Sequence, residues 1–385
     1  MSTVLPVVLA APWVLAPIVT VVRGRMSRSL DEESVEVIGE RPLVSVVIPA
    51  RNEGRNIRRC VESALASTYD PLEIIVVDDH STDDTGAIAA ELAARDPRVR
   101  VVTPAPLPAG WFGKQWACDA GARAARGALL AFFDADTWQA PDLVSRAVNA
   151  MRARGSALLT VAGTQEMGSF WEKLVQPQVF NVLWARYGGT ELVNASPRAG
   201  DKIANGQCMV FRRDAYDAMG GHAAVRDKVA EDLALAQRWF LAGRTVTMVL
   251  GLAQLRTRMY TSLRELVDGW GKNIYAGGRD AVPFGAVGRA VFPLALIFPA
   301  LSGIAPPLLL ALGLAGAVSH GVLVWSAIVT GANLLWWLAV YAWLEESPLY
   351  AVLHPLGAGA LLYIALRAIV RGRRVAWKGR DYRAA

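Results

Sequence analysis

The sequence predicts an α/β domain with an open, mostly parallel sheet, accompanied by transmembrane helices at the N-terminal and C-terminal ends. Segments typical of strands and helices alternate from residue 43 to residue 133. Apolar residues are concentrated in 3–22 and 291–371, whereas 40–280 has a soluble composition. With 53% hydrophobic residues, 19% charged residues and a mean hydropathy of +0.29, the 385-residue chain is too apolar for an ordinary soluble enzyme.

Cysteine content and net charge argue against several classes of protein. Cys60, Cys118 and Cys208 are an odd number without CxxC spacing, so neither a disulfide framework nor a zinc site is expected. The net charge of +6 is modest, and the arginines lie beside the apolar segments, as membrane flanks do. We therefore expect no nucleic-acid partner, and the sequence identifies no protein partner.

Residues 1–23 are predicted to form an N-terminal transmembrane anchor. Residues 3–22 carry no charge, and about twenty such residues can span a hydrocarbon core of about 30 Å. Arg23, Arg25 and Arg28 follow directly, whereas a signal peptide carries its positive charge before the apolar run. The positive-inside rule then places the N-terminus outside and residue 23 onward in the cytosol.

A C-terminal membrane region is predicted over 291–371. Residues 321–344 and 350–370 are expected to span, and the basic tail 372–385 is expected in the cytosol. Residues 291–318 are interrupted by Pro306-Pro307, and one straight span there would put the tail on the wrong side. We therefore expect a re-entrant hairpin or two short spans in that segment.

The remaining boundaries follow from these membrane segments. The cytosolic catalytic region is expected over 41–250, and an interfacial linker with amphipathic helices over 251–290. The chain is thus predicted to be a multi-pass membrane protein whose soluble region faces the cytosol.

Polar clusters follow successive predicted strands of the soluble region. One strand stops at Pro49 and is followed by 51–53 (Arg-Asn-Glu), and the next ends at Asp78-Asp79, where Asp83 or Thr82 is placed to cap the following helix. In open α/β sheets, ligands bind beyond the carboxyl ends of the strands. We therefore expect these clusters to face one crevice.

The stretch "FFDADTWQAPDLV" adds a third cluster, because Asp134 and Asp136 stand one residue apart after an apolar strand. The same spacing also occurs in helix caps and surface loops. Three such clusters at successive strand ends favour one ligand site over three unrelated turns.

Four motifs occur in a specific order: "VSVVIPARNEGRNIRRCVESAL", "IIVVDDHSTDDT", "GKQWACDAGARAARG" and "LLAFFDADT". Together they resemble the nucleotide-sugar half of the family 2 glycosyltransferases, which have the Rossmann-like GT-A fold, over about residues 41–245. The resemblance implies that Asp79 reads the nucleobase and that the pair of Asp134 and Asp136 serves ribose and metal, with Asp134 nearer the nucleotide and Asp136 on the cation. Mg²⁺ or Mn²⁺ is the expected metal, since such a cation needs only one or two carboxylates when it also binds a diphosphate. Lys114 is the expected second cation for the diphosphate. The expected donor-binding residues are Pro49, Ala50, Arg51, Asn52, Glu53, Asp78, Asp79, Gly113, Lys114, Asp134, Asp136, Gly206, Gln207 and Arg238.

Residues 204–239 resemble the acceptor half of the same family. Glu231 and Asp232 begin a helix, where a carboxylate gains from the helix dipole, and a capping role is compatible with catalysis. The resemblance implies that Asp232, with Glu231 beside it, is the general base in a one-step attack that inverts the anomeric carbon. His222 is expected to be structural.

Residues 256–278 depart from the processive branch of the family. Cellulose, chitin and hyaluronan synthases carry Gln-x-x-Arg-Trp there, whereas this chain has Leu266, Gly269 and Trp270. Trp270 and Lys272 are therefore predicted to line an acceptor site, with helix packing as the alternative for Trp270. This stretch, "GWFGK" and "WKGRDY" resemble bacterial lipid-modifying members, including carotenoid-acid glucosyltransferases and hopanoid-associated relatives.

The expected function is metal-dependent, inverting transfer of one sugar from a nucleotide sugar, foremost a UDP-sugar, to a hydroxyl or carboxyl of a membrane lipid. The expected location is a bacterial-type cytoplasmic membrane. A polyprenyl-phosphate glycosyltransferase is an alternative, and its phosphate acceptor needs no general base. A processive polysaccharide synthase is disfavoured by the missing motif, and a non-catalytic membrane scaffold by the intact carboxylates.

Overall fold

The structure is a computed structural model that describes residues 4–280, 282, 285–372, 374–377 and 380–383. The chain divides into two compact units. We call the first the sheet unit; it comprises Ser27–Glu166, Thr190–Met259 and Arg373–Ala385. We call the second the helical unit; it comprises Met1–Met26, Met167–Gly189 and Tyr260–Gly372.

The described residues form strands and helices that are numbered here in chain order. The strands are β1 Val44–Ala50, β2 Leu72–Asp78, β3 Val99–Val102, β4 Leu129–Phe133, β5 Thr137–Gln139, β6 Leu158–Ala162, β7 Thr164–Gln165, β8 Cys208–Arg212, β9 Val246–Leu250, β10 Leu255–Thr257, β11 Arg374–Trp377 and β12 Arg380–Arg383. The helices are α1 Val4–Gly24, α2 Ile57–Leu65, α3 Thr85–Arg95, α4 Gly113–Ala124, α5 Leu143–Arg154, α6 Phe170–Tyr187, α7 Thr190–Ala195, α8 Arg213–Ala218, α9 Glu231–Leu241, α10 Leu263–Asp280, α11 Gly285–Leu314, α12 His320–Trp343, α13 Leu349–Val352 and α14 His354–Arg371.

The sheet unit is built on a seven-stranded sheet in the order β3-β2-β1-β4-β8-β6-β9. β1 pairs in parallel with β2 and β4, β2 with β3, and β6 with β9, whereas β8 runs antiparallel to β4 and β6. A second sheet of three short strands has the order β5-β10-β7. The predicted α/β class with a mostly parallel sheet is confirmed.

Helices cover both faces of the large sheet, which is why its central strands read as continuous apolar runs. Val46 and Ile48 of β1 belong to the core cluster that includes α2, α3 and α5, whereas Val47 belongs to the cluster that includes α4 and α9. The parallel strands β1, β2 and β4 therefore end at one edge, where the polar clusters follow them.

In the part of the chain that the structure describes, three helices are long and apolar enough to cross a membrane: α1, α11 and α12. The anchor expected over 1–23 corresponds to α1, although residues 1–3 lie outside the described residues. Arg23 follows the apolar stretch and donates from Nη1 to the carbonyl oxygen of Ala185 in α6, 2.9 Å away. This arginine therefore helps to satisfy the C-terminal carbonyls of α6.

The hairpin or split pair expected over 291–318 is wrong, because α11 is one continuous helix of 30 residues. Pro306 lies inside this helix and cannot donate to the carbonyl of Ser302. Asn333 of α12 donates from Nδ2 to that carbonyl oxygen at 3.0 Å. A neighbouring side chain thus replaces the missing backbone donor, as happens in helices that tolerate proline at membrane depth.

The span expected over 350–370 corresponds to α13 and α14, and neither helix is among the three candidates. α14 contains Arg367 and Arg371, whose guanidinium groups lie 2.9 and 3.3 Å from Asp268 Oδ1 of α10. Placing these charged side chains in a hydrocarbon core costs free energy. The expected span over 350–370 stays a prediction.

The unit boundaries also differ from the expected ranges. α6, which lies within the expected catalytic range 41–250, belongs to the helical unit. In the expected linker 251–290, α10 buries Leu266, Val267 and Trp270 on one face. In the expected basic tail 372–385, β11 and β12 pair antiparallel and belong to the sheet unit, while 373, 378–379 and 384–385 lie outside the described residues.

Candidate active site

The loop after β1 is tied to the loop after β2 at the carboxyl edge of the sheet. Arg51 Nη1 donates to the carbonyl oxygens of Asp79 and His80 at 2.5 and 3.0 Å. Asn52 has a φ of 53° and accepts from the backbone N–H of Thr82 at 2.8 Å. Arg51 and Asn52 are therefore hydrogen-bonded to the loop that follows β2, whereas Ala50 is only 2% exposed.

Asp78 and Asp79 have different surroundings despite being adjacent. Asp78 Oδ1 accepts from the backbone N–H of Ser81 at 3.1 Å, so this carboxylate shapes the turn. Asp79 is 1% exposed, and its backbone N–H donates to the carbonyl of Ala50 at 2.9 Å. Its carboxylate contacts Arg380 of β12, which the sequence analysis did not anticipate.

Lys114 lies between two carboxylates from separate elements. Its Nζ atom is 2.7 Å from Asp134 Oδ1, which follows β4, and 2.7 Å from Glu231 Oε1, at the start of α9. Burial alone would lower the pKa of Lys114, but these two carboxylates raise it well above its usual value. Burial raises the pKa of Asp134, an effect that Lys114 opposes. The lysine therefore stays charged at the centre of the cluster.

Asp232 is held beside the same cluster by backbone donors. Its Oδ2 accepts from Gly206 N at 3.0 Å and its Oδ1 from Leu233 N at 2.7 Å. Burial first, and then the charge of Glu231, raise the pKa of Asp232 to about 6. A Cβ on Gly206 would lie 3.1 Å from Lys114 Nζ and 3.2 Å from Asp232 Oδ2, so any larger residue would crowd both groups.

Asp136 lies in the turn between β4 and β5, a strand of the three-stranded sheet. Its carbonyl oxygen accepts from Thr257 Oγ1 at 3.1 Å, which anchors the Asp134–Asp136 turn to β10. Among the described residues, no group of three or more His, Cys, Asp or Glu side chains is arranged to hold a metal. Metal binding by the Asp134 and Asp136 pair stays a prediction; two carboxylates would suit a cation that shares its remaining positions with water and phosphate oxygens.

Gln207 and Arg238 are two further predicted donor residues. The side chain of Gln207 is held in place by two hydrogen bonds, since its Oε1 accepts from the side-chain amides of Gln165 and Asn205, both at 3.1 Å. Arg238 is exposed in the last turn of α9, six residues after Asp232. Six residues rotate a helix by about 240°, so the structure does not bring Arg238 to the cluster.

The two predicted acceptor residues lie in α10 of the helical unit. Trp270 is 6% exposed and packs against Phe180 and Tyr260, with ring centroids 5.6 and 5.9 Å away. Lys272 is half-buried two residues later. Their acceptor role remains a prediction, and the burial of Trp270 agrees with the packing alternative.

His222 is structural, as expected. It is fully buried, and its Nδ1 lies 2.8 Å from the hydroxyl of Tyr216. Burial lowers the pKa of His222 to about 3, so this imidazole is neutral at physiological pH.

The C-terminal strand pair contributes two residues that the sequence analysis missed. Arg380 contacts Asp79, and the ring of Tyr382 stacks on Phe112 with centroids 4.3 Å apart. The Tyr382 hydroxyl accepts from Gly113 N at 3.3 Å. The motif "WKGRDY" is the available signal, but neither its basic charge nor the family resemblance reveals contacts with Asp79 and Phe112.

Residues 45–220 match the family model described as Glycosyl transferase family 2. This match covers just under half of the 385-residue chain and identifies a family 2 glycosyltransferase domain within it. The match covers every predicted donor residue except Arg238, and it ends before Glu231 and Asp232. The match thus includes the strand-end loops after β1, β2 and β4 and every strand of the large sheet except β9, and the predicted enzyme class is confirmed.

A named relative agrees with this assignment. The chain is 28% identical over 243 residues to 4,4'-diaponeurosporenoate glycosyltransferase of Staphylococcus aureus strain MRSA252, which confirms the resemblance to carotenoid-acid transferases. The match covers 62% of this chain and 63% of that relative, less than two thirds of its length.

Among solved structures, the mannosyltransferase PcManGT from Pyrobaculum calidifontis, in complex with GDP-Man and Mn²⁺, has a TM-score of 0.56. It is 20% identical, and the match covers 95% of this glycosyltransferase and 98% of that chain. Residues 1–349 of Staphylococcus aureus TarS, in complex with UDP-GlcNAc, match with a TM-score of 0.43 and 13% identity over 88% of this chain and 95% of that one. The first of these supports the GT-A fold.

Proposed function

We propose that this glycosyltransferase transfers one sugar from a nucleotide sugar to a membrane lipid, with inversion at the anomeric carbon and with the help of a divalent cation. The observation that carries the proposal is the cluster of Lys114, Asp134, Glu231 and Asp232 at the carboxyl edge of the sheet. One buried cation and an adjacent candidate base are what a diphosphate leaving group and a hydroxyl nucleophile require.

The charges of the cluster support the need for a divalent cation. One ammonium, that of Lys114, lies among the three carboxylates of Asp134, Glu231 and Asp232. A nucleotide diphosphate brings about two further negative charges into this partly desolvated site, where charge repulsion is strong. When bound by Asp136 and Asp134, Mg²⁺ or Mn²⁺ would act as a Lewis acid towards the diphosphate.

The donor side of the proposed mechanism uses residues of the strand-end loops. Asp79 would accept hydrogen bonds from N–H groups of the base, as the resemblance implies. Lys114 would offset charge on the diphosphate as the bond between its oxygen and the anomeric carbon breaks. A UDP-sugar is the donor that we propose, and GDP-sugars are the first alternative to test.

On the acceptor side, Asp232 would take the proton from the acceptor hydroxyl as its oxygen bonds to the anomeric carbon. The raised pKa of about 6 makes Asp232 a stronger base than an ordinary carboxylate and still leaves it mostly ionised at pH 7. A lipid carboxylate or a polyprenyl phosphate is already ionised, so neither acceptor would need this proton transfer. The raised pKa of Asp232 therefore favours a lipid hydroxyl, whereas the name of the Staphylococcus relative, which specifies a carboxylate, favours a lipid carboxyl. We propose the hydroxyl, with the carboxyl as the first alternative to test.

A membrane lipid is supported as acceptor by the three candidate spans and by the name of the Staphylococcus relative. A lipid tail loses about 0.8 kcal/mol for each CH₂ that leaves the bilayer, so an enzyme that works on such a tail gains from being anchored beside it. We also propose that the sheet unit lies in the cytosol of a bacterial-type cell, where nucleotide sugars are made available.

The experiment is incubation of the purified full chain with radiolabelled UDP-sugars and GDP-sugars, each with Mg²⁺ or Mn²⁺, and total bacterial membrane lipid. We expect one donor to label one organic-extractable product, with release of one nucleoside diphosphate for each sugar transferred. Mild acid separates the rivals, since a sugar on a polyprenyl phosphate is released by it and a simple glycoside is stable. A water-soluble polymer as product, or no transfer from any donor, would contradict the proposal.

A further inference from the structure

Arg380 of β12 contacts the carboxylate of Asp79, the residue that the family resemblance predicts to bind the nucleobase. Its Nη1 and Nη2 donate to Asp79 Oδ2 and Oδ1 at 2.5 and 3.2 Å. The side chain of Asp79 is 2% exposed, and that of Arg380 is 20% exposed. Both oxygens of Asp79 are thus engaged by one two-pronged ion pair that is shielded from water, the geometry in which arginine binds carboxylates most strongly.

The same strand has a second contact beside the predicted diphosphate loop. Tyr382 stacks on Phe112 with an angle of 20° between the rings, and its hydroxyl accepts from the backbone N–H of Gly113. Gly113 and Lys114 begin α4 and are both predicted donor-binding residues. β12 therefore contacts the candidate nucleotide site at the base end and at the diphosphate end.

We propose that the C-terminal strand pair is a latch over the nucleotide site, and that a nucleotide must displace Arg380 to reach Asp79. This rests on the proposed function, specifically on Asp79 as reader of the base. In the ligand-free protein Arg380 satisfies the buried carboxylate. In the complex the N–H groups of the base take its place, and the strand pair moves aside.

The latch makes a quantitative prediction about affinity. If only a fraction f of the molecules has Arg380 released, the apparent dissociation constant is the intrinsic one divided by f. Removing Arg380 should therefore tighten nucleotide binding, which is the opposite of what loss of a binding residue does. A tenfold gain in affinity would correspond to about 1.4 kcal/mol.

The test measures UDP and GDP binding to the full chain in detergent by calorimetry, and association rates by stopped flow. We expect Arg380→Ala to lower the Kd of the preferred nucleotide by roughly 3- to 30-fold, mainly through faster association. Tyr382→Ala, which removes the second contact, should change the Kd in the same direction. Arg380→Lys should lie between wild type and Arg380→Ala, because lysine keeps the charge but not the two-pronged contact.

Arg58→Ala is the matched control, because Arg58 Nη2 also lies 2.5 Å from a carboxylate, that of Glu91, between α2 and α3. This variant should bind nucleotide as wild type does. Weaker or unchanged binding in both Arg380→Ala and Tyr382→Ala would overturn the latch. Weaker binding in Arg380→Ala alone would do so as well, since it would make Arg380 a direct contact of the bound nucleotide.

Asp79→Asn separates failure of the latch from failure of the proposed function. If Asp79→Asn weakens binding while Arg380→Ala does not tighten it, only the latch is wrong. If Asp79→Asn binds as well as wild type, Asp79 does not read the base and the latch is wrong with it. Binding to Arg380→Ala together with no measurable binding to wild type would support the latch most strongly, and no binding by any variant would reject both.

Discussion

Lys114 Nζ and Asp134 Oδ1 lie 2.7 Å apart, although Lys114 is at the start of α4 and Asp134 follows β4. Glu231 Oε1 lies at the same distance on α9. The one ammonium therefore connects three elements of the sheet unit and is the positive charge at the centre of the candidate site.

Lys114→Gln should reduce kcat/KM for the nucleotide sugar by about 10²-fold or more. The physical reason is the loss of a preorganised positive charge from a leaving diphosphate, for which single donors are typically worth roughly 3–4 kcal/mol. Steady-state kinetics with varied donor measures the effect. Lys173→Gln is the control, since Lys173 forms an ion pair with Glu346, 2.9 Å away in the helical unit. A near-normal kcat/KM in Lys114→Gln would show that Lys114 does not stabilise the leaving diphosphate.

Asp136→Ala should abolish metal-dependent turnover while the protein still folds and inserts. A divalent cation at the diphosphate supplies several kcal/mol, and this variant removes one of its two carboxylate ligands. Activity is titrated with Mg²⁺ and with Mn²⁺ beside Asp96→Ala, which removes an aspartate that pairs with Arg98 on the surface. Full activity of wild type after EDTA treatment would contradict the assignment of a metal.

The pH dependence of kcat/KM should follow the ionisation of the Asp232 carboxyl group. Burial and Glu231 raise its pKa from 3.8 to about 6, so the required ionised form predominates above that pH and is lost below it. We expect log kcat/KM to fall with a slope approaching one per pH unit below about pH 6. The same profile with Asp232→Asn should lack this limb, and an unchanged limb in the variant would assign the ionisation to another group.

Membrane topology should follow the three candidate spans. Crossings by α1, α11 and α12 leave the loop at Ala317 outside and the loop at Ser347 on the cytosolic side. The spans expected over 321–344 and 350–370, with a cytosolic tail, would instead place 345–347 outside. Glu346 pairs with Lys173 of α6, a helix whose two ends continue into the sheet unit along the chain. This contact favours the cytosolic side for Ser347.

Single cysteines test the topology. With the buried Cys60, Cys118 and Cys208 replaced, Ala317→Cys should react with an impermeant reagent added outside, and Ser347→Cys only after permeabilisation. Residues 2 and 385, expected outside and inside, lie outside the described residues, but cysteines there provide further checks. Labelling of Ser347→Cys from outside would restore the topology that the sequence alone suggested.

Local sequence patterns predicted the sheet and most of the cluster. β-Branched runs that stop before acidic turns mark strand ends, and the carboxyl ends of β1, β2 and β4 must meet at one edge. Asp134, Lys114 and Glu231 were therefore predictable as neighbours, given the family resemblance. Their close packing is set by the fold and by the small size of Gly206.

Long-range contacts explain what was missed. Arg380 is 301 residues from Asp79 along the chain, and no local pattern in a basic tail reveals such a partner. The sequence predicts a hairpin or split over 291–318 from Pro306-Pro307 and from the number of crossings that the tail requires. In the structure α11 continues past Pro306, and the carbonyl of Ser302 accepts from Asn333, which belongs to another helix. Both errors arise from tertiary partners that satisfy polar groups at a distance.

The most direct test of the account compares donor binding and turnover in Asp232→Asn. Asparagine keeps the size of the side chain and removes its basicity, so the Kd for the nucleoside diphosphate should stay within a few-fold of wild type. Transfer of the radiolabelled sugar to the lipid should fall by about 10²-fold or more. Turnover close to that of wild type would contradict a hydroxyl acceptor activated by Asp232, and would point to an acceptor that arrives already ionised.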